Sequence, residues 1–366
     1  MAKLSSEDKR LLRSFIKTEK AIPVGVDLAK DVFQVCYCDP ETGVLKNFQL
    51  NRDSFFEWSG GSPFGAMPMC VAIEACGSCN FWARYFRSAG HSCRVLPVIR
   101  IKAHMQSTSK SDKIDAFGIW KSLLSYVSSI VPKEPLAAAV SGMISVRELV
   151  ARQKVQCQNA ARAVLYEMGI ACYASGNAVI EKLNTEVNRL MEEKSPQAQP
   201  LNAARLMLRD TVSSHTAVLE KANTYLREFA SSSELCRNLM TIPGVGPVSA
   251  VTLYPALSRA GDFPDSRHFA SYAGVAPLVT GTGGKTRVLG VKSTGSREFK
   301  KVLFMAALVN YKRLKKKPGS ALSRALREGK APAVMISALA NRIARVAWAV
   351  AKSGSPYDAA RCSLMS

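Results

Sequence analysis

No apolar run in the sequence reaches the roughly 18 residues needed to cross a bilayer as a helix, so no membrane span is expected. The N-terminus, MAKLSSEDKRLLRSFIKTEK, lacks the apolar stretch of a signal peptide. It reads as a short amphipathic helix whose apolar face is too poorly formed for membrane binding. Histidine is scarce, at 4 residues in 366. The 10 cysteines include a CxxC (Cys76, Cys79) and a CxC (Cys36, Cys38), but neither has a second pair at zinc-site spacing. A structural zinc is therefore not expected, and without an export signal the thiols read as reduced, small buried hydrophobes. A sugar kinase would open on a stretch like VGVDLA (24–29), but the later Gly-rich nucleotide loops it needs are missing. Acidic residues are also few: 28 Asp and Glu stand against 50 Lys and Arg.

That imbalance gives a net charge of +22, which predicts attraction to polyanions, nucleic acid first and acidic membrane second. With 47% hydrophobic and 21% charged residues the chain is globular. Its length allows two or three cores.

Residues 21–50 alternate like strands: AIPVGVDLA, then DVFQVCYCD, a PETG turn, and VLKNFQL. MCVAIEA (69–75) reads as a buried strand, followed by a helix with Phe81, Trp82 and Tyr85, a strand at SCRVLPV, and a helix starting near Asp112. This is a mixed sheet flanked by helices, an α/β unit over 21–135 behind an N-terminal helix at 1–20. From 136 the period changes. Ile180, Leu183, Val187 and Leu190, then Leu208, Val212, His215, Leu219, Ala222, Leu226 and Phe229, keep heptad spacing on either side of SPQAQP. Two long helices, forming an antiparallel hairpin or an intermolecular coiled coil, are expected on either side of that loop within a coiled-coil helical arm over 136–235, with His215 a tolerated seam residue rather than a ligand. TIPGVGPVSAVTLYPAL (241–257) has the form of a helix-hairpin-helix element. Backbone N–H groups of its Gly244–Gly246 turn would bind a phosphate without reading sequence. The bland alternative is a tight turn that needs glycine only for positive φ. The rest, 236–366, is expected to be helical with one long loop, ending in an amphipathic helix stopped by Gly354.

Asp27 lies in one apolar strand and Glu74 in another, where a carboxylate costs several kcal/mol unless paired or bound to metal. Asp112 and Asp115, spaced i and i+3, share a face at a helix start. If not metal ligands, they could be N-cap and N3 of a capping box. Four such carboxylates meeting at one sheet end would suit Mg²⁺ or Mn²⁺, and a pair of ions there would serve phosphodiester chemistry. Far along the chain, residues 281–317 hold eleven Lys or Arg and one acid, Glu298. Among them are Lys285, Arg287, Lys292, Arg297, Lys300 and Lys301, interleaved with glycines and with the hydroxyls of Thr282, Ser293 and Ser296. Cations neutralise phosphates, and a hydroxyl among them could attack one.

In order, VGVDLAKDVFQV, VAIEACGS, SDKIDA, IPGVGPVSA, FASYAGVAPLVTGTGGK, STGSREFKKVLFMAA and AKSGSPYDA resemble the insertion-sequence 110 transposases, also called Piv-like or DEDD recombinases. The resemblance runs over nearly the whole chain. It implies a RuvC-like (ribonuclease-H-like) domain, a coiled-coil linker and a helical C-terminal transposase domain. Asp27, Glu74, Asp112 and Asp115 would be its metal-binding tetrad, and a C-terminal hydroxyl its nucleophile. It further implies a bridge RNA guide, dimers joining into tetramers, composite active sites, and a bacterial cytoplasmic, nucleoid-associated location. Where the family carries serine this sequence has Thr282, so Thr282 is the expected nucleophile, with Ser293 or Ser296 as alternatives. Three other functions stay open: a metal-dependent resolvase-type nuclease, a DNA invertase of the Piv type, and a nucleic-acid-binding protein without activity.

Overall fold

The computed structural model describes residues 4–61, 63–102, 111–282, 285–291, 295–315 and 328–360, with the backbone alone at 282, 285, 286, 288 and 289. Lys292 and Ser293 lie outside the described residues, as do Gly283, Gly284, Thr294, Lys316 and Lys317. Backbone packing divides the chain into two units, Met1–Pro135 and Leu136–Ser366.

In the first unit, helix α1 (Ser6–Glu19) leads into strands β1 (Ile22–Leu28), β2 (Val32–Cys38) and β3 (Leu45–Asn51). Then come α2 (Arg52–Gly60), β4 (Met69–Glu74), α3 (Cys79–Ser88), β5 (Ser92–Leu96), a single turn α4 (Val98–Ile101) and α5 (Asp112–Leu124). The strands form one mixed sheet in the order β3-β2-β1-β4-β5. β1 pairs antiparallel with β2 and parallel with β4. Strand alternation sends Val24, Val26, Val71 and Ile73 to one face, against Phe55 and Trp82. Cys36, Cys70 and Ala72 go to the other face, against Ala116, Ile119 and Trp120 of α5. Burial pushes the Cys36 thiol up to about 12, which keeps it an inert packing group.

The second unit starts with α6 (Pro135–Glu167), α7 (Ala178–Glu192) and α8 (Ala198–Ser232). The two heptad segments fall in α7 and α8, and the arm also holds a further helix, α6, ahead of them. Ala198–Pro200, expected in the connecting loop, open α8, since proline is tolerated in a first helical turn. Val212 of α8 shares a core with Leu183 and Val187 of α7. Leu226 and Ala230 share another with Val140 and Ile144 of α6. His215 is half-buried, and its Nδ1 has no partner among the described residues.

Helices α9 (Glu234–Met240), α10 (Pro247–Leu257) and α11 (Ser266–Tyr272) follow. Next come strands β6 (Pro277–Thr282) and β7 (Lys285–Val291), then α12 (Arg297–Lys315) and α13 (Pro332–Ser353). The expected long loop is thus in part a two-stranded ribbon. Thr280 pairs with Arg287 and Val279 with Val288, and β-branched residues with Gly-Gly at the connection favour a hairpin over a loop. α13 ends at Gly354 in the left-handed region, at φ 66. By length and composition α13 could cross a membrane. It carries Arg342 and Arg345, however, and its Ile343, Ala344 and Ala347 are buried in the core with Leu303 and Ala307 of α12.

Candidate active site

Asp27 and Glu74 lie at the carboxyl ends of two neighbouring parallel strands. Val26 stands opposite Ile73, so the next residue on each strand is one of these acids. Asp27 is in step with Gly25, and Glu74 with Ala72, so both carboxylates belong to the face covered by α5.

Gly25 is what lets α5 lie there. A Cβ at this position would stand 2.5 Å from Trp120 N and 2.6 Å from Ala116 O, so only glycine admits the helix backbone so close. Trp120 Nε1 then donates to Pro23 O at 3.1 Å and fixes the crossing. The N-cap of α5 is Ser111, not Asp112, and the capping-box reading gives way to one with both aspartates in the first helical turn. Gln34, opposite Asp27 on β2, is buried. Its Nε2 donates to Asn47 Oδ1 at 2.5 Å, and Asn47 Nδ2 donates to Lys113 O at 2.8 Å. This chain of amides ties the first turn of α5 to β2 and β3.

The electrostatics follow from that packing. Burial, and after it the negative charges of Asp115, Asp112 and Glu74, push the Asp27 carboxyl up to about 6. Glu74 is also raised, by burial and by Asp115, against the opposing pull of Lys102. Among the described residues no three His, Cys, Asp or Glu side chains form a group that could hold a metal ion. The donor chemistry nonetheless fits a hard divalent cation: the donors are carboxylate oxygens of like charge, and a cation would relieve the repulsion recorded at Asp27.

The other sequence-predicted residues lie in the second unit. Thr282 ends β6, paired with Lys285, and Arg287 is exposed on β7. Gly274 and Gly295 cross so closely that a Cβ on Gly295 (φ +102) would sit 2.5 Å from Gly274 Cα. Ser296 Oγ accepts from Phe299 N at 3.2 Å and donates to Glu298 Oε2 at 3.0 Å, so this hydroxyl caps α12 and is already engaged. Arg297, Lys300 and Lys301 fall in the first turns of α12. In the α9–α10 turn Gly244 has φ +84. A Cβ there would meet Ala306 O and Asn310 Nδ2, each at 2.7 Å, so close packing on α12 by itself accounts for this glycine. Gly246 is the N-cap of α10, with open space where a Cβ would be. Sequence reading missed Gly25, Gln34, Asn47 and Lys102. Of these, Gly25 and Gln34, inside apolar strands, carried a local signal.

Two family models match the chain: DEDD_Tnp_IS110, described as a transposase, over residues 24–170, and the Transposase IS116/IS110/IS902 family over residues 236–322. A probable family 20 transposase of Pseudomonas aeruginosa is 28% identical, over 91% of this chain and 98% of its own length. The transposase for insertion sequence element IS1328 of Yersinia enterocolitica is 27% identical, over 92% and 98%. A pilin gene-inverting protein of Moraxella bovis is 23% identical, over 92% and 97%.

Proposed function

From the premise that the chain belongs to the IS110 family of transposases, enzymes that cleave and rejoin DNA, we propose how its residues divide that work. Asp27, Glu74, Asp112 and Asp115 hold a divalent cation, Mg²⁺ or Mn²⁺, in a ribonuclease-H-like unit. The observation carrying this is the raised Asp27 carboxyl, which burial and then the negative charges of the other three acids push up. The strand order β3-β2-β1-β4-β5 supports the ribonuclease-H-like reading. When bound, the ion supplies Lewis-acid stabilisation of charge on a scissile phosphate. Gln34 and Asn47 hold the first turn of α5 so that Asp112 and Asp115 keep their places. Thr282 supplies the nucleophile. Its Oγ forms a bond to phosphorus as one P–O bond of the strand breaks, and its proton ends on the oxygen of the released strand. Lys285, Arg287, Lys300 and Lys301 neutralise the flanking backbone, with Lys292 in the same role. Backbone N–H groups around Gly244 and Gly246 add a sequence-independent phosphate contact.

The net charge of +22 is compatible with a second polyanion beside DNA, a structured guide RNA. Exposed Val146, Leu149 and Val155 on α6 support self-association into dimers and then tetramers. The similarity to gene-inverting proteins favours inversion as a second outcome of the same strand chemistry.

The test is recovery of a covalent protein–DNA adduct after denaturation, in Mg²⁺ and separately in Mn²⁺. It should vanish in Thr282→Ala. DNA cleavage that survives the double change Asp27→Ala and Asp115→Ala would end the tetrad assignment. RNA copurifying with the wild type, matched to flanking DNA, would support the guide.

A further inference from the structure

Glu148, Arg152, Arg297, Glu298 and Lys301 line a cleft of about 160 Å³ in the second unit. Its walls come from α6 and the first turns of α12, far apart in sequence. The two acids in it are already engaged. Glu148 holds Arg147 at 2.5 Å and Lys301 at 2.6 Å. Burial pushes Glu148 up, but Lys301 and Arg147 outweigh it and keep the carboxyl below its ordinary value. Arg147 is itself fixed, its Nε donating to Asn223 of α8 at 2.8 Å. Glu298 accepts from Ser296.

Two cations are left over. Arg152 makes one bond, Nε to the backbone O of Glu148 at 3.4 Å. Among the described residues neither Arg152 nor Arg297 has a carboxylate partner, and both are exposed. Two guanidinium groups on one small cleft, with Glu148 held by two cations and Glu298, still charged, accepting from Ser296, leave an excess of positive charge that suits a single anion. At about 30 Å³ per water the space admits a phosphate group with a few waters. A guanidinium fork matches phosphate oxygens in pairs.

We propose that Arg152 and Arg297 together grip one backbone phosphate of a nucleic-acid strand, with Lys301 held at the rim by Glu148. This rests on reading the second unit as a handler of nucleic acid and adds to it a residue, Arg152, outside the basic run. DNA and RNA share this chemistry, so single-stranded DNA, duplex DNA and RNA of one sequence are tested side by side. The measurement is binding by fluorescence anisotropy across a series of salt concentrations. In the double variant Arg152→Gln, Arg297→Gln the slope of log affinity against log salt falls by one phosphate's worth, about 0.9 on duplex or about 0.7 on a single strand. Neither single variant loses more than that. The strand type showing the loss is the occupant. An unchanged slope on all three overturns the proposal, and so does a loss twice as large, which would mean two separate phosphates. Arg209→Gln, which removes a cation paired with Asp210 at 3.0 Å on α8, keeps the wild-type slope. An equal loss there would trace the effect to bulk charge and would also overturn the proposal. Both target arginines are exposed, so the variants keep the wild-type melting temperature. A wild type that binds none of the three strands would instead refute the reading of the second unit.

Discussion

At the carboxyl edge of the five-stranded sheet, and at the start of α12, charged side chains gather in opposite ways. Around Asp27 the charges are mostly of one sign, and what holds them together is a helix pressed onto a glycine. Around Glu148 the charges alternate and tie themselves together by ion pairs, and two arginines are left over. The first cluster is destabilised by its own electrostatics and kept by packing. The second stabilises itself. A like-charged cluster held by packing would be relieved by a counter-charge, whereas a network of ion pairs needs none.

The largest effect that sharpens this contrast is at Asp27. Asp27→Asn should lower strand cleavage by at least about a hundredfold. It should also make the fold more stable, by about 1 kcal/mol after allowing for solvent screening of a partly exposed group. Cleavage assays and thermal melts on one preparation check both, and a loss of stability would break the contrast. Next is Gly25→Ala. The added Cβ collides with the backbone of α5, so stability should fall by about 1–3 kcal/mol and cleavage should fall with it. Third is pH. The folded Asp27 carboxyl titrates near 6, above the unfolded value of 3.8, so the folded state binds more protons between those limits. Stability should therefore fall as pH rises from about 4 to about 6, by about 1 kcal/mol. Asp27→Asn should flatten that slope in melts across the range, while wild-type cleavage should rise through about pH 6. The smallest effects belong to the second cluster. Ser296→Ala removes the α12 cap and should cost about 1 kcal/mol in a melt while adduct formation persists. Glu148→Gln should cost a similar amount by loosening Lys301 and Arg147.

The same contrast explains what could be read before folding. Strands β1, β2 and β4 were legible because apolar runs bounded by turn residues leave little choice. Asp27 and Glu74 stood out because a carboxylate inside such a run is expensive, and Asp112 and Asp115 because of their i, i+3 spacing at a helix start. Their convergence at one sheet end was expected, but the packing that seats α5 there was not, since it depends on the close approach of Gly25 and Trp120, 95 residues apart in the chain. The hairpin β6–β7 was hidden because glycine and lysine interrupt its alternation. The Glu148–Lys301 pair spans 153 positions and has no local signature at all, so Arg152 went unnoticed.

The close approach of Gly274 and Gly295 brings together the two ends of the segment that carries strands β6 and β7 and Thr282. Because the close contact is made by two glycines at the neck, the helices on either side are set by that contact and not by the length of chain between them. Doubling the length of that segment would add only about 0.6 kcal/mol of closure entropy. The reach of the hydroxyl-bearing ribbon can therefore be re-cut by insertion or deletion while α11 and α12 stay as they are.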